Sequence, residues 1–249
     1  MKNNFYNKIS SLLKKKQTLV KVYSHPRSGT HFLEAFLAQN FYPDTNLFIP
    51  DVAWGHWSNR QIKKEGNPYG QLFGNHYFAK YNTDSSPKIY IVRDGRAVAY
   101  SVWKTPNFLH QDVSQQSFKE FLHTPLDWHG SPSHKVKTPK LTILEHWAEH
   151  VASWQALAAQ TPQVLLVHYE TLVNDPYAVY NAIRGKFFSE LPLKEARDLK
   201  VIERPIGLLP NKGKPDTWKP YFDDDDNELY HELTANYNLE NETDLKKNI

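Results

Sequence analysis

The residues best suited to chemistry lie in a short stretch near the N-terminus, His-Pro-Arg-Ser-Gly-Thr at 25–30. Arg27 offers a guanidinium, and Ser28 and Thr30 offer hydroxyls, while Gly29 permits a backbone bend that other residues resist. A helix starting here would add unpaired N–H groups and the positive end of its dipole, so the stretch predicts an anion-binding loop. An ordinary turn with a solvated arginine is the alternative. The loop has one glycine and is not a Walker A motif, which disfavours kinases and ATPases of the usual kind.

A second arginine–hydroxyl combination occurs at Arg93 and Ser101. Arg93 ends a predicted strand, and Ser101 lies two turns into the helix that follows. A strand–turn–helix of this kind can bring both side chains to one compact anion such as a phosphate monoester. The alternative is an ion pair between Arg93 and the neighbouring Asp94.

One histidine and one lysine–glycine pair are further candidates. His76 falls between the first two strong strands, and the carboxyl ends of parallel strands share the edge at which ligands bind. A neutral imidazole at that edge can accept a proton, although a structural role is open. Lys212 and Gly213 stand in a loop near the C-terminus, where an ammonium and a backbone N–H can approach an anion together. Solvated lysines are the alternative there.

A metal site has to be weighed because His146, Glu149 and His150 match the pattern His-x-x-Glu-His of some zinc hydrolases. The spacing puts both imidazoles on one helical face, but a zinc site also needs a third ligand and outer-shell support, and no such motif is evident. The absence of cysteine excludes disulfides, a thiol nucleophile and a Cys-ligated zinc. We therefore predict no metal.

The elements that must position these residues alternate along the chain. Buried strands are predicted at Leu19–Tyr23, Lys88–Arg93 and Gln163–Tyr169. Helices are predicted from Thr30 onward and at Ala97–Lys104, Leu141–Ala159, Pro176–Phe188 and Glu228–Tyr237. This alternation predicts an α/β fold, a single domain with a central parallel sheet flanked by helices. Residues 105–139 contain several X-Pro pairs and no clear period, and we interpret them as a flexible lid or acceptor-binding loop.

Composition sets further bounds. The chain has 249 residues and a formal charge of +3, which fits an anionic ligand but gives little reason to expect nucleic acid. Residues 1–18 form a basic segment without the apolar run of a signal peptide. No stretch is long and apolar enough for a transmembrane helix. We therefore expect one cytoplasmic domain over residues 1–249, of unknown oligomeric state.

Several motifs, in this order, resemble those of sulfotransferases that use 3′-phosphoadenosine 5′-phosphosulfate (PAPS), and above all the soluble, cytosolic-type enzymes. The stretch at 25–30 resembles the family's phosphosulfate loop, and Tyr90–Ser101 resembles its 3′-phosphate motif. Glu149–Trp154 and Val167–Glu170 resemble its central helix and third-strand segments. Lys212–Phe222 resembles its C-terminal Arg-Lys-Gly…Gly-Asp-Trp-Lys…Phe loop. The resemblance implies a fold like that of the P-loop NTPases.

The resemblance also implies an activity, transfer of a sulfuryl group from PAPS to a hydroxyl or amine with release of 3′,5′-diphosphoadenosine (PAP). His76 matches the family's general base, and Arg27 would stabilise the charge that grows as the sulfuryl group leaves. The donor-binding residues that it implies are Arg27, Ser28, Gly29, Thr30, His31, Phe32, Arg93, Ser101, Tyr169, Lys212 and Gly213. Within this set, Phe32 and Tyr169 would lie beside the adenine. The acceptor, whether a small molecule, a glycan or a lipid, cannot be read from the sequence.

The sequence departs from the family pattern at three places. Gly74 replaces a lysine that helps to neutralise the sulfuryl group, so that Arg27 would act alone or with Lys80. Asn211 replaces an arginine of the 3′-phosphate clamp, and residues 216–217 replace a Gly-Asp pair. These departures keep a second hypothesis open, a nucleotide-binding module with impaired catalysis.

Overall fold

The computed structural model describes residues 19–43, 72–106, 109–127, 140–201 and 216–239. Within these ranges three strands, β1 Lys21–Ser24, β2 Lys88–Val92 and β3 Val164–His168, form one parallel sheet in the order β1-β2-β3. β1 pairs with β2, and β2 pairs with β3. All five residues of β2 are buried, as expected for a central strand covered on both faces. The prediction of an α/β fold with a central parallel sheet is confirmed.

The outer edge of β1 is also occupied. The N–H of Val22 donates to the carbonyl of Leu72 at 2.7 Å, and the N–H of Gly74 donates to the carbonyl of Val22 at 2.8 Å. Val22 and Phe73 thus form a parallel bridge. This pairing holds the segment that leads to His76 next to the carboxyl end of β1.

Seven α-helices lie within the described ranges: α1 Thr30–Phe41, α2 Gly95–Lys104, α3 Phe118–Leu122, α4 Ile143–Gln160, α5 Tyr169–Asn174, α6 Pro176–Phe187 and α7 Asp224–Asn236. Side chains fix most of their starts. Thr142 caps α4 in a capping box with Glu145, and Asp175 caps α6, whose first residue is proline. Among the described residues, none of these helices combines the length and apolarity that crossing a membrane requires.

The two faces of the sheet bury separate cores, because alternate strand residues point in opposite directions. Val22, Ile89 and Val167 pack on one face with α1, α5 and α6. Tyr23 and Tyr90 pack on the other face with α2, α3, α4 and α7. The three-layer arrangement leaves the carboxyl ends of the strands free to build a site.

Two element predictions need correction. The sequence indicates a loop over residues 105–139, but this range contains α3, where Ser117 and Glu120 form a capping box and Phe118 and Phe121 are buried. The apolar residues of this short helix are too few to show a period. The sequence also predicts a last helix from Glu228, whereas α7 starts at Asp224. Asp223 is its N-cap, and the aspartates that follow it suit the positive end of the dipole.

Candidate active site

The predicted anion loop joins β1 to α1 through two residues in the left-handed backbone region. Arg27 has φ 70° and Gly29 has φ 89°. Gly29 is the N-cap of α1, and a Cβ added to it would lie 2.3 Å from the ring of Tyr169. Both the conformation and the close packing therefore demand glycine. Arg27 lacks that freedom, and the left-handed conformation costs it on the order of 1 kcal/mol, a kind of strain that clusters at functional sites.

The N-terminus of α1 faces this loop. Its first turn contains no acidic residue, and no side chain among the described residues caps it. The N–H groups of Phe32 and Leu33 already donate to the Gly29 carbonyl. The N–H groups that precede them in the turn have no acceptor within the helix, and they add donors and positive potential beside Ser28 and Thr30.

Two guanidinium groups meet at the carboxyl end of the sheet. The Nε of Arg27 donates to the Oγ of Ser101 at 3.0 Å, and the Nη1 of Arg93 donates to the backbone carbonyl of Arg27 at 3.2 Å. Burial, and next the charge of Arg93, lower the pKa of Arg27 to about 10. Like charges held together away from water are stabilised by an anion between them. The sequence analysis assigned Arg27 and Ser101 to opposite ends of the donor, but their hydrogen bond joins both groups into one continuous site.

Several polar atoms of this site are buried without a hydrogen-bond partner among the described residues. They are the Nη1 of Arg27, the Oγ of Ser28 and the Nε of Arg93. Unpaired buried polar groups cost free energy and are rare in native proteins. All three can donate a hydrogen bond, so the partner that would satisfy them is an anion. The residues present therefore fit a phosphate or sulfate group.

The alternative for Arg93, an ion pair with Asp94, is not what the structure shows. The carboxylate of Asp94 binds the guanidinium of Arg96 at 2.8 Å and also caps α2. Arg93 instead lies over the ring of Tyr169, 4.7 Å from its centroid, and the indole N–H of Trp147 holds the Arg93 carbonyl at 3.1 Å. An aromatic face and a backbone contact thus position Arg93, and the carboxylate of Glu170 lies close enough to interact with its charge.

Aromatic side chains border the same end of the loop. The ring of Phe32 meets the ring of Tyr169 edge-on, with centroids 6.0 Å apart. Tyr169 is the first residue of α5 and is buried, whereas Phe32 is partly exposed. Two aromatic rings that meet edge-on beside an anion site are suited to pack against the planar base of a nucleotide.

His76 lies at the end of β1, as its place between the first two strands predicted. Its Nδ1 is 2.8 Å from the backbone carbonyl of Ser24 and 3.1 Å from the Ser24 Oγ, which in turn bonds the Oγ1 of Thr30 at 2.7 Å. A carbonyl can only accept, so Nδ1 carries the proton and Nε2 keeps its lone pair. Loss of water lowers the pKa of His76 to about 4, which leaves the ring neutral at physiological pH.

Behind the anion loop lies a group of buried histidines that the sequence analysis did not connect. The Nε2 of His25 is 3.0 Å from the Nδ1 of His146, and the Nδ1 of His25 donates to the Pro26 carbonyl. The Nδ1 of His150 is 2.7 Å from the Tyr90 hydroxyl. Burial lowers the pKa of His146 to about 3 and the pKa values of His25 and His150 well below 6.5. These rings are neutral, and they support the anion loop from its buried side.

This arrangement gives no support to the zinc alternative. His146 and His150 bind His25 and Tyr90, whereas Glu149 accepts a hydrogen bond from the hydroxyl of Tyr237 at 3.2 Å. Within the described ranges, no three His, Cys, Asp or Glu side chains come together as a metal site. The two histidines and the glutamate of the His-x-x-Glu-His pattern therefore contact different neighbours on either side of the helix.

The structure brings together most of the predicted residues: Arg27, Ser28, Gly29, Thr30, His31, Phe32, His76, Arg93, Ser101 and Tyr169. Lys212 and Gly213, like the N-terminal segment 1–18, lie outside the described residues. Sequence analysis missed Ser24 and Glu34, which contact His76 and His31 respectively. The signal for Ser24 was its place at the end of β1, and Glu34 was hidden among the apolar residues of α1.

The glycine that departs from the family pattern is fixed by packing. A Cβ added to Gly74 would lie 2.4 Å from the ring of Tyr23. Tyr23 lies in turn against Trp154, with ring centroids 4.9 Å apart. A lysine at this position therefore has no room unless Tyr23 moves.

A family model for the sulfotransferase domain matches residues 17–244. No curated protein matches the sequence. Among solved structures, mouse sulfotransferase SULT7A1 complexed with PAP is similar with a TM-score of 0.59 at 18% identity, over 90% of this chain and 86% of that chain. Retinol dehydratase is similar in two complexes, with androsterone and the inactive cofactor PAP (TM-score 0.53, 16% identity) and with retinol and PAP (TM-score 0.53, 17% identity), each over 90% of this chain and 82% of that chain. These structures share the fold, and because the family model covers nearly the whole sequence, the chain belongs to the sulfotransferase domain family, whose reaction is sulfuryl transfer.

Proposed function

We propose that this protein transfers a sulfuryl group from PAPS to a hydroxyl or amine of a small-molecule, glycan or lipid acceptor. The observation that carries the proposal is the pair Arg27 and Arg93, two guanidiniums held together with unpaired donors at the N-terminus of α1. Such a site favours an anion, which would satisfy the unpaired donors and offset the two charges. The solved structures of similar fold contain PAP, the product that PAPS leaves behind.

The site residues divide the work of holding the donor. Ser28, Thr30 and the first N–H groups of α1 would bind the 5′-phosphosulfate, and Arg93 with Ser101 would bind the 3′-phosphate. The rings of Phe32 and Tyr169 would border the adenine. Lys212 and Gly213 would complete the 3′-phosphate site, as the resemblance implies.

Arg27 and His76 would act on the reacting atoms. The acceptor oxygen or nitrogen forms a bond to sulfur, the bond from sulfur to the 5′-phosphate oxygen breaks, and that oxygen keeps the electron pair. Arg27 stabilises the negative charge on this oxygen more in the transition state than in the ground state. The Nε2 of His76 takes the acceptor proton, because the Ser24 carbonyl keeps the other ring nitrogen protonated.

A screen with radiolabelled PAPS and a panel of phenols, sterols, sugars and amines tests the proposal. Appearance of label in any acceptor, together with PAP, is the expected result. Binding of PAP without transfer to any acceptor would instead favour the second hypothesis, a nucleotide-binding module that has lost catalysis. Absence of PAP binding would overturn both.

A further inference from the structure

Arg96 lies in the first turn of α2 and takes no part in the reaction scheme. Its Nε and Nη2 donate to the two carboxylate oxygens of Asp94, at 3.1 and 2.8 Å, and its Nη1 donates to the side-chain oxygen of Asn227 at 3.0 Å. All three guanidinium nitrogens therefore have an acceptor within the protein. Arg27 and Arg93 differ, since each has a buried donor without a partner among the described residues. The contacts of Arg96 serve the structure rather than a ligand.

Two aromatic rings lie against the guanidinium of Arg96. Its Cζ is 4.0 Å from the ring centroid of Trp218 and 4.4 Å from the ring centroid of Tyr230. A guanidinium within about 6 Å of an aromatic ring is attracted to its face, and the attraction grows where water is excluded. Trp218 is buried and Tyr230 is partly buried, so both contacts are shielded from water. Arg96 thus joins the start of α2 to α7 and to the segment before α7.

The ring of Tyr230 connects this cluster to Arg93. Tyr230 packs on Trp147, with ring centroids 5.5 Å apart, and the indole N–H of Trp147 donates to the Arg93 carbonyl at 3.1 Å. The indole lies directly against Gly95, where an added Cβ would be 2.7 Å from the ring. Contacts therefore run without a break from Arg96 through Tyr230 and Trp147 to the arginine at the end of β2.

From these contacts we infer that Arg96 is a positioning residue for the 3′-phosphate end of the donor site. It holds Trp218 and Tyr230 against the start of α2, and Tyr230 supports the indole that fixes the backbone of Arg93. The inference rests on the proposed function, which assigns Arg93 to the 3′-phosphate. Arg96 itself does not touch the nucleotide.

The segment before α7 also has contacts that do not involve Arg96. The ring of Tyr221 lies 4.7 Å from the ring of Tyr100 on α2, and the buried ring of Phe222 lies 5.3 Å from that of Phe118 on α3. These contacts stay when the guanidinium is removed. Substitution of Arg96 should therefore loosen the segment without releasing it from the core.

The test compares Arg96→Gln and Arg96→Lys with the wild type. Asp94 also accepts a hydrogen bond from the backbone N–H of residue 96 at 2.8 Å, so both variants keep the N-cap of α2. Arg184→Gln is the matched control. Arg184 is a partly buried arginine on α6 that donates to the carbonyls of Leu191 and Ser189, at 2.7 and 3.2 Å.

Melting temperature and calorimetric affinities for PAP and for 5′-AMP are measured for each protein. Only PAP carries a 3′-phosphate, so the ratio of the two affinities reports on that end of the site. A residue that merely stabilises the fold lowers the melting temperature without changing this ratio. Arg93→Ala is measured alongside, because it tests the 3′-phosphate assignment directly.

The expected results differ between the variants. Arg96→Gln binds PAP roughly fivefold or more weakly, part of the loss that follows when a charged hydrogen bond is misplaced, and keeps its affinity for 5′-AMP within about twofold. Arg96→Lys falls between Arg96→Gln and the wild type, because an ammonium keeps the charge but lacks the planar fork that binds a carboxylate and stacks on rings. Arg184→Gln lowers the melting temperature and leaves the affinity ratio unchanged.

Other outcomes overturn the inference. An unchanged ratio in Arg96→Gln, together with a lowered ratio in Arg93→Ala, means that the cluster only stabilises the fold. Equal weakening of both nucleotides means that Arg96 does not act on the 3′ end. If Arg96→Gln does not fold, Arg96→Lys decides by the same ratio. An unchanged ratio in Arg93→Ala, or no PAP binding by the wild type, would reject the proposed function and the inference with it.

Discussion

The Nη1 atom of Arg93 donates a hydrogen bond to the backbone carbonyl of Arg27 at 3.2 Å. This contact ties the loop after β1 to the end of β2, and the charge of Arg93 is near enough to help lower the pKa of Arg27, after the larger effect of burial. The carbonyl satisfies only part of Arg93, whose Nε stays buried and unpaired among the described residues. The fold therefore fixes two cations at one edge of the sheet, each with a buried donor that no described residue satisfies.

Arg93→Ala is expected to weaken the binding of PAP much more than the binding of 5′-AMP, because Arg93 is proposed to bind the 3′-phosphate that 5′-AMP lacks. Loss of a charged hydrogen bond costs about 1.5–3 kcal/mol, or roughly 10- to 150-fold in affinity. Isothermal titration calorimetry with both nucleotides measures the difference. Arg197→Ala is the control, since the side chain of Arg197 is 78% exposed and pairs with Glu195 on the surface. Equal weakening of the two nucleotides would contradict the 3′-phosphate role.

His76→Asn is expected to lower kcat by about 10²- to 10⁴-fold, the usual contribution of a general base. The amide of asparagine can still donate to the Ser24 carbonyl, so the loop and the affinity for PAP should be preserved. Single-turnover transfer of labelled sulfate and calorimetric PAP binding are measured side by side. Turnover at the wild-type rate would remove His76 from the mechanism, whereas loss of PAP binding would point to a structural role.

Much of this site could be predicted from the sequence because its signals are local. The loop at 25–30 joins a strand to a helix within a few residues, and Arg93 directly follows β2. The hydrogen bond between His25 and His146 joins residues far apart in the chain, and no periodic pattern in the sequence predicts it. The sequence also did not show that Asp94 pairs with Arg96 rather than with Arg93, because this choice depends on the backbone geometry at the start of α2.

The buried histidines should make the protein sensitive to acid. An unfolded chain protonates His146 near the ordinary histidine pKa of 6.5, but burial holds the folded pKa at about 3. The unfolded state therefore binds more protons. The contribution of the neutral His146 to the free energy of unfolding is fully present above about pH 6.5, and it is lost as the pH drops toward about 3. Each histidine removes up to about 1.4 kcal/mol per pH unit within that window.

Urea unfolding at about pH 7.5 and about pH 5 measures this effect. For His146→Gln the loss of unfolding free energy between the two conditions should be smaller than in the wild type by about 2 kcal/mol, since one proton-binding site disappears. The glutamine amide can still donate to the Nε2 of His25, which limits damage to packing. His123→Gln, on an exposed side chain after α3, is the control for the removal of a histidine outside the buried group. An identical pH dependence in all three proteins would show that His146 is not held neutral by burial.

Gly29 and Gly185 offer a matched pair for testing the loop. Gly29→Ala must place a Cβ 2.3 Å from the Tyr169 ring at φ 89°, whereas Gly185→Ala in α6 meets nothing within 4 Å. The first change should destabilise the protein by at least about 2 kcal/mol, because the left-handed cost adds to overpacking. The second should stabilise it by about 0.5–1 kcal/mol, since alanine is the better helix former. Urea unfolding measures the stability of both variants, and titration with PAP measures their nucleotide affinity. Of the two variants, only Gly29→Ala should also lose nucleotide affinity. Tolerance of alanine at position 29 without loss of binding would mean that the loop does not need the conformation that aims its donors at the anion.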